Sequence, residues 1–151
     1  MIRIRSHLYA ILTMSIYASM SHAQDLSRNS PQAGGRTYSE NYKDMVLATC
    51  ITTAYKASPA VVKDAGSSVS ALRDWTHYDM DQATSAVPEL VSDYLNRDYH
   101  NPVVESEVKC VRFDLLKCLD LYHSEALDEQ VRRLVFDHDH TYRQNNPAPE
   151  Q

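Results

Sequence analysis

Cysteine, histidine and paired carboxylates are the side chains of this sequence able to carry chemistry, so their spacing is weighed first. Cys50, Cys110 and Cys118 would act as nucleophiles only as thiolates activated by a neighbouring base. All three fall on or beside apolar helical stripes, where a buried or bonded sulfur is the usual outcome. No Cys-x-x-Cys-His run is present to attach a haem. His138-Asp139-His140 sets two imidazoles on opposite sides of a helix but on one side of a strand, and no third metal ligand follows nearby. Glu105 with Glu107, and Asp79 with Asp81, are i,i+2 pairs that face apart on a helix and read as solvated or capping groups. There is no phosphate loop, catalytic triad or glycosidase pair. The expectation is a binding protein, not an enzyme, with no metal and no cofactor.

The address is written at the start. Arg3 and Arg5 form a basic n-region, Leu8 to Met20 is an apolar core too short to span a bilayer, and Ser21-His22-Ala23 suits a cleavage site. Residues 1–23 therefore read as a secretory signal peptide cut after Ala23, and no later stretch is apolar enough to cross a membrane. The mature chain is one domain of ordinary size. Of the 15 Lys and Arg, Arg3 and Arg5 precede the cut while all 20 Asp and Glu follow it, so its net charge is about −7. That sign argues against a nucleic-acid ligand.

In an oxidising compartment, three cysteines imply one disulfide and one leftover thiol. Cys110 and Cys118 would be about 12 Å apart along one helix. A disulfide needs Cα atoms within about 7 Å, so Cys50 must be one partner. Cys118 lies on the apolar stripe and Cys110 beside it, which favours Cys50–Cys118.

The elements that hold these residues read as an all-α bundle of about five helices. Residues 24–38 are a flexible leader, 39–136 a helical domain and 137–151 a polar tail. Ser39 is expected to cap a helix whose stripe is Tyr42, Met45, Val46, Thr49, Cys50 and Thr53. Ser58-Pro59 starts a second helix, with Val61, Val62, Ala65, Val69, Leu72 and Trp75 facing inward. Gly66 is either a weak spot in it or room for a close helix crossing. Asp79 or Asp81 caps a third helix that Pro88 should kink or split. Val108, Val111, Leu115, Cys118, Leu119 and Tyr122 form the buried stripe of a fourth, with Asp114, Lys117 and Asp120 mostly on its solvent side. Ser124 caps a fifth, carrying Leu127, Val131, Leu134 and Val135 inward, with acids in its first turn and Arg132 and Arg133 in its last.

Tyrosine is abundant, at 10 residues, and suits interfaces because one end is apolar and the other polar. Tyr42, Tyr94 and Tyr122 lie on stripes and belong to the core. Tyr78 and Tyr99 lie in the loops Trp75–Asp79 and Arg97–Asn101, the best candidate contact surface.

The runs NYKDMVLATCITTAYK, ALRDWTHYD, YLNRDYHNPVVESE, FDLLKCLDLYHS and TYRQNNP resemble the type VI secretion amidase immunity proteins, the family cognate to the fourth family of peptidoglycan amidase effectors. The likeness runs from Asn41 to Pro147, and FDLLKCLDLYHS is its most specific part. It implies a periplasmic, all-helical homodimer that binds and blocks an injected Cys/His peptidoglycan amidase, using a helix of one subunit and a protruding loop of the other. The family's paired cysteines correspond to Cys50 and Cys118. Cys110 departs from the small residue expected at its place, and Pro88 is a second departure. On this view YLNRDYHNP is the inhibitory loop. The effector-binding residues are then Arg97, Asp98, Tyr99, His100 and Asn101, joined by Trp75, Tyr78 and Asp79. The negative charge would speed association with a basic cell-wall enzyme. Two other classes compete: a periplasmic metal or small-ligand carrier using His138, His140 and an acidic partner, and a hydrolase with a dispersed site.

Overall fold

The computed structural model describes residues 30–99 and 111–147. The packing that follows belongs to the unit Ala33–Gln151. Its elements among the described residues are a 3-10 turn, Gln32–Gly35, and six α-helices: α1 Tyr38–Ala54, α2 Pro59–Asp74, α3 Met80–Leu95, α4 Asp114–Tyr122, α5 Glu125–Leu134 and α6 Tyr142–Asn145. The only β-type pairings among these residues are two isolated bridges, Thr37 with Thr141 and Tyr78 with Val135. The all-α expectation holds.

α1 is the hub, in contact with α2, α3, α4 and α5. It starts two residues earlier than Ser39 suggested. The Thr37 hydroxyl accepts from the Glu40 N–H at 3.2 Å while Glu40 Oε2 accepts from the Thr37 N–H at 2.8 Å. This reciprocal box satisfies two orphan donors at once, which a cap at Ser39, followed three residues on by Tyr42, cannot do. Tyr38, Asn41, Tyr42, Met45, Val46 and Cys50 are buried along α1. Asn41 is bonded inside the core, its Nδ2 donating to the carbonyls of Ala33 at 2.8 Å and Trp75 at 3.1 Å. Ala33 is itself part of that core, so the leader is packed at its end.

Cys50 on α1 and Cys118 on α4 form a disulfide, S–S 1.97 Å and Cα–Cα 5.7 Å, the pairing that was favoured. Closing a loop of 68 residues stabilises by about 4 kcal/mol in the chain-entropy account. α4 departs from the expectation in two ways. It begins at Asp114 because Phe113, with φ 54°, stands in the left-handed region and breaks the helix there; Val108 and Cys110 lie outside the described residues. Its inward face is Lys117, Cys118 and Leu121, while Leu115, Leu116 and Leu119 are 47%, 45% and 40% exposed. Cys118 is common to the expected and the observed face; the helix packs against α1 and α3 with the Lys117 and Leu121 flank of Cys118 inward and the Leu115 and Leu119 flank outward.

Pro88 sits inside α3 without splitting it. Pro88 and Thr84 both lie on the exposed side, so water can serve the Thr84 carbonyl that loses its partner. The fifth helix matches its expectation: Ser124 accepts from the Leu127 N–H, and Leu127, Val131, Leu134 and Val135 are buried.

The segment read as a trailing tail is tied back. Tyr38 and Ser39 N–H, in the first turn of α1, donate to the carbonyls of His140 at 2.8 Å and His138 at 3.3 Å. Those two N–H groups have no partner within their own helix, so the tail supplies one for each. Thr141 and Gln144 then form a second capping box for α6, and Asn145 Nδ2 donates to Tyr38 Oη at 3.0 Å.

α2 packs chiefly on α1 and buries only Leu72 fully. A Cβ added at Gly66 meets nothing within 4 Å, so Gly66 marks no close crossing. Gly66→Ala should therefore stabilise the protein by about 0.5–1 kcal/mol through helix propensity alone, read as a higher midpoint in urea unfolding; an unchanged or lower midpoint would show a constraint that open space does not reveal.

Candidate partner-binding surface

The candidate contact residues divide between the two ends of α3, a helix of 16 residues and so about 24 Å long. His100 and Asn101 lie outside the described residues.

At the amino end of α3, Trp75 closes α2 and is half-buried against the core. Tyr78 packs edge-on against the Tyr42 ring, centroids 5.4 Å apart, and burial pushes its hydroxyl pKa up. Asp79 caps α3: its carboxylate accepts from the Gln82 N–H at 3.0 Å and from Gln82 Nε2 at 2.6 Å. These hydrogen bonds hold the Asp79 carboxyl below the usual range. Its own N–H donates to the Leu134 carbonyl at 2.8 Å. Trp75, Tyr78 and Asp79 thus all take part in joining α2, α3 and α5.

The carboxyl end is built differently. The Arg97 guanidinium lies over the Tyr94 ring, 3.4 Å from its centroid. Tyr99 Oη donates to Asp120 Oδ2 at 2.6 Å, and that bond, with burial second, raises the tyrosine pKa. Beneath them is Lys117, only 4% exposed. Its Nζ donates to the Leu95 carbonyl at 3.1 Å, meets Asp114 Oδ1 at 3.4 Å and lies 5.7 Å from the Tyr99 ring. Arg112 pairs with the other oxygen of Asp114 at 3.4 Å. Two aromatic rings, three cations and two carboxylates therefore fix the backbone that presents Arg97 and Asp98, both exposed. Asp120 is on the solvent side as expected, whereas Lys117 and the partly buried Asp114 depart from that expectation. The i,i+3 spacing of Asp114 and Lys117 was the available sign of their pairing.

Beside this cluster Tyr55, Phe113, Leu115, Leu116 and Leu119 line an open apolar hollow of about 520 Å³. The histidines lead elsewhere: His138 Nδ1 lies 3.4 Å from Ser39 Oγ, and His140 Nδ1 lies 3.2 Å from Asn145 Oδ1. No three metal-ligating side chains come together among the described residues.

The depressed Asp79 carboxyl has a consequence for acid stability. A carboxylate whose folded pKa is lowered stabilises the fold above its unfolded pKa, about 3.9, and that contribution disappears as pH falls through the folded value. Asp79→Asn, which keeps a capping side chain, should lose less stability between about pH 4 and pH 2 than the wild type, measured by denaturant midpoints across that window; parallel losses would remove Asp79 from the account.

A family model described as "Tai4: Type VI secretion system (T6SS), amidase immunity protein" matches residues 40–131. A chain from the solved structure "New Type VI-secreted toxins and self-resistance proteins in Serratia marcescens" is 24% identical with a TM-score of 0.69, over 80% of this chain and 94% of that one. A chain from the "effector - immunity system Tae4 / Tai4 from Salmonella typhimurium" is 22% identical with a TM-score of 0.59, over 70% of this chain and 96% of that one. No curated protein matches significantly.

Proposed function

Because the chain belongs to the type VI secretion system amidase immunity family, we propose that it binds a peptidoglycan amidase effector and covers its active site, protecting the cell that makes it. The family match across residues 40–131 carries this reading, and the fold shared with a chain of an effector–immunity system supports it. The enzyme faced would be a Cys/His amidase acting on the cell wall, so the protector belongs in the periplasm, exported by residues 1–23 and cut after Ala23. Inhibition needs no chemistry from the protector. Its work is to exclude substrate.

Arg97, Asp98 and Tyr99 carry the contact in this reading. Arg97 and Tyr99 are already held by Tyr94 and Asp120, so little side-chain entropy remains to be lost on binding. Trp75, Tyr78 and Asp79, roughly 24 Å away along α3, are reached only by an enzyme face that spans the helix. Asp98→Ala should keep the melting temperature, since the position is exposed, and Arg97→Ala should lower it only slightly through the lost stacking on Tyr94, yet each should bind the amidase about 10- to 30-fold more weakly. Titration calorimetry and a cell-wall digestion assay with the purified pair test this. Full protection by both variants would move the surface elsewhere.

The protein is also proposed to act as a homodimer. The apolar face formed by Leu115, Leu116 and Leu119, with Tyr55 beside it, supports self-association, since contiguous exposed apolar patches usually mark contact sites. Light scattering at micromolar concentration should give twice the monomer mass, and Leu116→Glu should lower it. A wild-type monomer under those conditions rejects the dimer.

A further inference from the structure

The chain leaving α3 is held by α4 at two points. Lys117 Nζ donates to the carbonyl of Leu95, the last residue of α3, at 3.1 Å. Asp120 Oδ2 accepts from Tyr99 Oη at 2.6 Å. The two holding residues are one helical turn apart on α4. Between their footholds, Asn96, Arg97 and Asp98 form a short exposed arch.

The choice of lysine at one foot is informative. Lys117 is 4% exposed, and Asp114 Oδ1 lies 3.4 Å from its ammonium and balances the charge. Burying such a pair costs desolvation that an apolar side chain of similar length avoids, so stability alone favours methionine here. Methionine fills the space but cannot donate to the Leu95 carbonyl. A donor from α4 at that carbonyl fixes where the chain leaves α3. At the other foot Asp120 is exposed. Its bond to Tyr99 therefore adds little to the core, and its effect is to hold the far end of the arch.

We propose that Lys117 and Asp120 are positioning residues for the amidase contact: neither touches the enzyme, and together they hold both feet of the arch that presents Arg97 and Asp98. The identity of the partner rests on the functional reading above; the clamp does not. Asp120→Ala should weaken amidase binding about fivefold by calorimetry in the wild type, and not at all in a Tyr99→Phe background, where the bond is already gone. Asp120→Asn keeps an acceptor and should recover most of the loss. Equal losses in both backgrounds, or none in the wild type, overturn the Asp120 foot. Lys117→Met with Asp114→Asn removes both charges of the buried pair and leaves the net charge unchanged, so electrostatic steering is unaltered. That protein should bind about tenfold more weakly, with a melting temperature equal to or above that of the wild type. Full affinity overturns the Lys117 foot. So does a lowered melting temperature, which would make Lys117 a residue of stability only.

Two readouts need no amidase. The bond to Asp120 holds the Tyr99 hydroxyl pKa above its usual value, so in protein with labelled tyrosine that hydroxyl should titrate at lower pH in Asp120→Ala. The backbone signals of Asn96, Arg97 and Asp98 should move when either foot is cut. If they move while the wild type binds no amidase, the clamp stands and the partner assigned to it falls with the functional reading. If the wild type binds the amidase and the arch signals stay in place in the variants, the clamp fails and the functional reading survives.

Discussion

The bond between Cys50 and Cys118 fixes more than the distance between two helices. It joins the hub helix to the nine residues of α4 and holds Cys118 at the centre of the inward side of α4. With Cys118 held against α1, Lys117 and Leu121 go in with it, and the leucines at 115, 116 and 119 go out. Lys117 then has to find partners inside the protein, and finds the Leu95 carbonyl and Asp114. Removing Asp114 would leave a nearly buried charge with only a carbonyl for company, one of the costlier changes a small domain can suffer. The end of α3, the ring of Tyr99 and the position of Arg97 all rest on this arrangement.

Much of this was legible beforehand, and the failures share a cause. Helices whose ends carry their own chemistry were readable: Ser58-Pro59, Asp79 and Ser124 each start a helix where the residue types say they should. Reach made Cys50 one partner of the disulfide, and the place of Cys118 on the apolar stripe favoured it as the other. The face of α4 was not legible, because its apolar residues occur at i, i+1 and i+4 and satisfy more than one rotation. Cys118 belongs to either rotation, so even the crosslink leaves the choice to the packing of α4 against both α1 and α3. In the same way, Thr37 outcompetes Ser39 because of Glu40, a pair signal that a single-residue preference overlooks.

The candidate surface was half legible for a related reason. Aromatic and charged residues in loops did mark Arg97, which lies over the Tyr94 ring of α3, and Tyr99, which meets Asp120 of α4. The same pattern marked Trp75 and Tyr78, whose rings belong to the packing of helix ends. Composition cannot tell an aromatic that projects from one that plugs a helix junction, since both want an apolar body and a polar edge. Distance along α3 is what separates them, and it exists only once the third helix is known to run unbroken through Pro88.

The carbonyls of His138 and His140 complete the first turn of α1, although about 100 residues of chain separate them from it. Contacts so remote carry a large loop-closure cost and form late. The hub on which four other helices pack therefore has an amino end that stays open until the segment from His138 to His140 has docked against it. A truncation of a dozen residues would remove little of the core, yet it would unlatch the element around which the core is assembled.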